Sequence, residues 1–203
     1  MNSNRIILAI SLGIILGTAL ILSPPFNMQN SASAQLITNE KPSGGDFQLT
    51  SSEGKKSLSD YQGKLVLIYF GYTFCPDICP TNLGNLSLAY QGLTQAEKDN
   101  LKILFISVDP ARDTPARLQQ YVNYFEANIT GLTGKPETIA EIAKRYGVIY
   151  AKVDTPDNGT NYAVDHSAFT YLVDQRGQLQ TQLPHATSPE QFIKTIQHYQ
   201  SHS

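Results

Sequence analysis

Two stretches constrain the fold more than anything else in the chain. Leu65-Val-Leu-Ile-Tyr-Phe70 and Ile103-Leu-Phe-Ile-Ser-Val108 are uncharged, apolar runs of six. A strand with one wet face alternates apolar and polar residues, so an unbroken apolar run suits a central strand covered on both faces. Apolar residues elsewhere recur at helical spacing: Leu83, Leu86 and Tyr90; Leu118, Tyr121, Val122 and Phe125; Ile139, Ile142, Ala143 and Tyr146. Residues 148–153 read as a strand, and 168–173 and 178–183 as two more around the turn Asp174-Gln-Arg-Gly177. Ser188-Pro189 supplies a cap and a first helical residue for a last helix through Phe192, Ile193 and Ile196. Upstream, 46–49 and 56–58 flank Glu53-Gly54, as in a short hairpin. The sum is an α/β domain with a mixed central sheet and helices on both faces.

The N-terminus points to export. Arg5 precedes Ile6 to Leu22, seventeen residues without a charge, which reach the lower limit for a membrane-spanning helix. Ala32-Ser33-Ala34 forms an A-x-A cleavage pattern. The apolar run is long for a signal peptide, and its distance from Ala34 includes Pro24-Pro25, so an uncleaved anchor is the preferred expectation. Residues 1–23 are thus read as anchor or signal segment, 24–45 as a flexible linker rich in Ser, Asn, Pro and Gln, and 46–203 as the folded domain. Fifteen basic against seventeen acidic residues make the chain mildly acidic, which argues against nucleic-acid binding.

Only two cysteines are present, too few for a disulfide framework or a multi-cysteine cluster. Both lie in Gly71-Tyr-Thr-Phe-Cys75-Pro-Asp-Ile-Cys79-Pro80, where a buried strand ends and a helix should begin. Four residues apart, they share a face in a helical or turn-like segment. A helix N-terminus lowers a thiol pKa, and Pro80 is tolerated early in a helix. A structural disulfide here would close a very short loop and constrain the unfolded chain little. Redox exchange or soft-metal binding remain, and three intervening residues, rather than two, lean toward metal.

Two thiolates and an imidazole suit Cu(I), whereas closed structural zinc sites take four protein ligands. Of the four histidines, His198 and His202 read as solvated in the terminal helix or tail, and His185 as a surface-loop residue. His166 stands just before an apolar strand, at the end of a polar loop over 154–161. It is the candidate third ligand, with Asp165 as a residue that could orient it. Asp77 is either a weak oxygen ligand of Cu(II) or a helix cap, and capping is favoured. In Ser107-Val-Asp109-Pro-Ala-Arg112-Asp113-Thr114-Pro115, Thr114 or Asp113 caps the helix that Pro115 opens, and Arg112 has an acid partner that the sequence does not choose.

Three strings together resemble the Sco/SenC family of thioredoxin-like copper proteins: Phe70-Gly-Tyr-Thr-x-Cys75-Pro-Asp-Ile-Cys79-Pro, Ser107-Val-Asp-Pro-x-Arg-Asp-Thr-Pro115, and Asp165-His166-Ser167 followed by Tyr171-Leu-Val-Asp. Phe74 sits where many relatives carry a polar residue or histidine, while each ligand position matches. The resemblance implies a thioredoxin-like fold with an insertion, an N-terminal anchor, and one copper ion, Cu(I) or Cu(II), held by Cys75, Cys79 and His166. It also implies delivery to the dinuclear copper (CuA) centre of cytochrome c oxidase subunit II, outside the cytoplasm. A thiol reductant of thioredoxin-like type is an expected partner, because an oxidising compartment closes free thiol pairs. The rival reading is a thiol–disulfide oxidoreductase or redox sensor with Cys75 as nucleophile and Cys79 as resolving thiol. A peroxidase on the same fold is the weaker third reading, since it would not need the second cysteine.

Overall fold

The computed structural model describes residues 42–153 and 162–201. The stretches read above as anchor, most of the linker, the 154–161 loop and His202 lie outside the described residues. Strands β1 (Gln48–Ser51) and β2 (Gly54–Ser57) form the expected hairpin, and a single 3-10 turn (Leu58–Tyr61) replaces the end of its second arm. Then come β3 (Leu65–Gly71), α1 (Ile78–Gly92), α2 (Gln95–Asp99), β4 (Leu101–Ser107), α3 (Pro115–Asn123), β5 (Ile129–Leu132) and α4 (Pro136–Tyr146). The chain continues through β6 (Tyr150–Val153), β7 (Ala163–His166), β8 (Thr170–Val173), β9 (Leu179–Leu183) and α5 (Pro189–Ser201).

Five strands make one mixed sheet in the order β5-β4-β3-β8-β9. β3 runs parallel to β4, from Leu65↔Leu101 to Gly71↔Ser107, and antiparallel to β8, with Tyr69 opposite Thr170. The two apolar runs occupy its centre, and their alternation builds two cores. Val66, Ile68, Phe70, Leu104 and Ile106 face α4 and the β1–β2 hairpin through Phe47, Leu49, Ile139, Ile142 and Tyr146. Leu65, Leu67, Tyr69, Ile103 and Phe105 face α1, α3 and α5 through Leu83, Leu86, Leu118, Val122, Phe192 and Ile196. Fully burying a large apolar side chain contributes about 1.5–3 kcal/mol, so these paired layers dominate the stability. The architecture is a thioredoxin-like α/β fold with helices on both faces of a mixed sheet, as expected.

Two elements depart from the sequence expectation. β5 carries too little apolar signal because Gly131 interrupts it, and a Cβ there would lie 2.8 Å from Leu118 Cβ. β7 is the larger surprise. It pairs antiparallel with β6 as a separate two-stranded sheet, with His166 opposite Tyr150, so the histidine ends a strand instead of preceding one. The main-sheet strand begins only at Thr170. Residues at the end of the expected linker are held against α4: Gly44 N–H donates to the Arg145 carbonyl at 3.0 Å, and the Tyr146 hydroxyl donates to the Gly45 carbonyl at 3.0 Å.

Candidate metal centre

The C-terminal end of β3 delivers the chain into a loop whose last turn begins α1, and the two cysteines bracket that junction. Asp77 takes the N-cap position of α1, but its side chain makes no capping bond. It accepts instead from the Thr81 hydroxyl at 3.3 Å. Cys75 does the capping: its Sγ accepts the Cys79 backbone N–H at 3.4 Å. A first-turn amide left without an intrahelical partner is thereby satisfied by sulfur.

Cys79 is fully buried between β3, Phe105 and α1, while Cys75 is half-buried at the surface. Gly71 makes room for this. A Cβ at that position would come within 2.8 Å of Cys79 Sγ and 2.9 Å of the Phe105 ring. The β6–β7 hairpin brings His166 over the same end of the sheet, with Nε2 at 3.3 Å from Cys79 Sγ. His166 Nδ1 lies 3.2 Å from the Ser167 carbonyl oxygen. A carbonyl only accepts, so Nδ1 carries a proton and donates to it, which orients the ring with Nε2 toward the sulfurs. Tyr69 and Tyr72 hold the imidazole edge-on, with ring centroids at 6.1 and 5.9 Å. The donor atoms of Cys75, Cys79 and His166 all lie within 4.8 Å of one another, close enough for one metal ion to touch all three. No other such group of three exists among the described residues.

Electrostatically the two thiols are driven apart. The Cys79 thiol donates toward Cys75, and the His166 ring and the amides of Cys79 and Asp77 add to it; together they outweigh burial and hold the Cys75 thiol well below its ordinary range. Cys79 moves the other way, because its proton is shared with Cys75 and its sulfur is buried. A thiolate beside a thiol is what metal capture and thiol exchange both start from. Burial pushes the neighbouring Tyr69 phenol up as well, and the two sulfurs add to the shift.

The loop is held from behind by residues the sequence reading assigned to capping. Thr114 does cap α3, accepting from Arg117 N–H at 3.2 Å. Asp113 is wholly buried and does something else. It accepts from Thr73 N–H (3.1 Å), the Thr73 hydroxyl (2.6 Å) and the Ser107 hydroxyl (2.6 Å), tying the end of β4 to the cysteine loop. Arg112 pairs with Asp109, which also accepts the Tyr162 hydroxyl at 2.6 Å. The clue available in sequence was an acid that directly precedes a threonine already able to cap.

Asp165, expected beside His166, is exposed, and strand alternation turns it away from the face that carries Val164 and His166. The Ser167 carbonyl fills the orienting role instead. His185 and His198 are exposed, as expected.

A family model described as SCO1/SenC matches residues 36–201. The SCO2-like protein of Rickettsia felis is 37% identical over 201 residues, 97% of this chain and 98% of that protein. The structure of Bradyrhizobium japonicum ScoI with copper bound is similar with a TM-score of 0.70 at 38% identity, covering 77% of this chain and 98% of that one. Yeast Sco1 with copper bound gives 0.71 at 35% identity, over 79% and 89%. With the family model covering most of the chain and these relatives matching nearly end to end or in fold, the chain belongs to the SCO1/SenC family.

Proposed function

We propose that the protein is a copper metallochaperone, tethered by residues 1–23 through the linker 24–45, that works on the extracytoplasmic face of a membrane. In this reading it binds one copper ion through Cys75, Cys79 and His166 and delivers it to the dinuclear copper (CuA) site of cytochrome c oxidase subunit II. The observation that carries the proposal is the convergence of two sulfurs and one imidazole nitrogen within 4.8 Å, the sulfurs from the cysteine loop and the nitrogen from a hairpin some ninety residues later in the chain. Two soft sulfurs and an imidazole suit Cu(I), and the nitrogen helps retain Cu(II). The copper-bound states of the ScoI and Sco1 relatives support the choice of metal. The membrane tether rests on the Ile6–Leu22 run, since no helix among the described residues is long and apolar enough to cross a membrane.

Delivery needs no net redox change. Each acceptor thiol loses its proton as it forms a copper–sulfur bond; on release Cys79 takes one back, Cys75 stays a thiolate, and the remaining proton passes to solvent. The copper remains Cu(I) throughout.

The thiol–disulfide reading keeps one specific support, the low-pKa thiolate of Cys75 beside the Cys79 thiol. His166 separates the two. Anaerobic Cu(I) titration, with absorption and paramagnetic spectra after Cu(II) loading, should show one ion per wild-type chain. Cys75→Ser should abolish binding, and His166→Ala should weaken it by at least the roughly 10–100-fold that losing a group which merely supports a ligand costs. Unchanged affinity and spectra in His166→Ala would falsify the three-ligand site and favour the redox enzyme.

A further inference from the structure

The surface beside Cys75 carries a row of cations and rings that the binding of copper does not require. Phe74, directly before Cys75, is 45% exposed and lies between two guanidinium groups, Arg112 at 4.5 Å and Arg117 at 3.9 Å from its centroid. Arg112 also stacks on Tyr162 at 3.6 Å, and the Lys152 ammonium lies 3.7 Å from the same ring. The row therefore runs Lys152, Tyr162, Arg112, Phe74, Arg117, from the hairpin across the β4–α3 connection and the cysteine loop to the first turn of α3. Ile78, between the cysteines, is 38% exposed.

Stacked guanidinium groups leave their in-plane N–H edges free for acceptors. The inner edges are used: Arg112 Nε by Asp109, and Arg117 Nε by the Thr73 hydroxyl at 2.6 Å, with Asp113 at 4.0 Å. Both carboxylates lie beneath the row, at 4% and 0% exposure, so an approaching molecule meets donors and not the acids. Arg117 and Lys152 reach solvent. The one exposed acid in the cysteine loop, Asp77, is engaged with Thr81, and Asp165 faces the other side of its hairpin. This surface is cationic and partly apolar on a chain whose overall charge is negative.

We propose that the row is a docking surface for a protein that presents acidic side chains beside its own thiols. Carboxylates meet the outer edge of Arg117 and the Lys152 ammonium, while Phe74 and Ile78 give apolar contact beside the half-buried Cys75. Charge of this kind sets orientation and encounter rate more than it sets final affinity. The inference rests on the copper-carrier reading and adds the partner's surface chemistry to it.

The test uses two synthetic peptides with the same Cys-x-x-x-Cys core, one flanked by glutamates and one by lysines. Full-length protein carrying one Cu(I) is mixed anaerobically with each, and copper transfer is timed by stopped flow. The acidic peptide should take copper about tenfold faster at low salt, and the advantage should fade near 0.5 M salt, where the Debye length shrinks to roughly 4 Å. Lys152→Glu, on the exposed hairpin, should cut the acidic peptide's rate and raise the basic peptide's while Cu(I) affinity stays unchanged. Arg117→Glu should shift the same preference further. Equal rates for both peptides, or a preference unmoved by Lys152→Glu and by salt, would overturn the docking surface while copper binding stands. A charge-dependent affinity for vesicles of anionic lipid, without discrimination between peptides, overturns it too and assigns the row to the membrane. A wild-type chain that holds no Cu(I) overturns the carrier reading itself.

Discussion

Within the cysteine pair the chemistry is unequal. Cys75 caps α1 as a stabilised thiolate at the surface, and Cys79 is a buried thiol held protonated beside it. In the reduced, copper-free protein, iodoacetamide at pH 6 should therefore modify Cys75 and spare Cys79, read by peptide mass mapping. Modification of both at equal rates would remove the asymmetry. Cys75, Cys79 and His166 were legible in the sequence because soft ligands are so scarce that chemistry and spacing left few combinations. The misplaced residue was Asp165. Adjacency in sequence favoured it, but alternation along β7 sends neighbours to opposite faces, and that face is not legible when 163–166 carries no strand signal.

Between elements, the joint that matters links β4, α3 and the cysteine loop through Asp113. Asp113→Ala leaves the Thr73 amide, Thr73 hydroxyl and Ser107 hydroxyl without their acceptor, a loss of roughly 2–4 kcal/mol by analogy with other unsatisfied buried groups. It should also weaken Cu(I) binding, since Cys75 lies two residues beyond Thr73. Asp113→Asn, which keeps one carbonyl acceptor, should recover much of the affinity. Denaturant melts paired with Cu(I) titration measure both, and an alanine variant with unaltered copper affinity would confine Asp113 to stability. The strongly marked elements were readable: β3 and β4 as unbroken apolar runs, α3 and α4 by one clear helical period. β5 and β7 were not, because four-residue strands with an exposed or glycine-interrupted face leave little pattern to detect.

The opposed titrations of the thiols reach the stability of the whole molecule. An unfolded thiol titrates at about 8.5. Cys75, lowered by folding, contributes stability above that value, and the contribution is lost as pH falls through its folded value. Cys79, raised by folding, contributes below about 8.5 and loses it as pH rises, since the unfolded chain then ionises where the folded one does not. The stability difference between reduced wild type and Cys75→Ser should therefore grow with pH through the mildly acid and neutral range and level off near 8.5. Chemical unfolding at a series of pH values reads it, and a pH-independent difference would contradict the thiolate assignment. At this scale the sequence was most informative, because two doubly buried strands leave few α/β arrangements. It said nothing about how the pieces share work. The sheet with its loop supplies both sulfurs, whereas the nitrogen arrives on a two-stranded sheet paired only with itself. The hairpin can thus change in length or sequence without re-registering a single strand of the five-stranded sheet. The scaffold is modular in that sense: the two sulfurs and the nitrogen are carried by separately paired sheets.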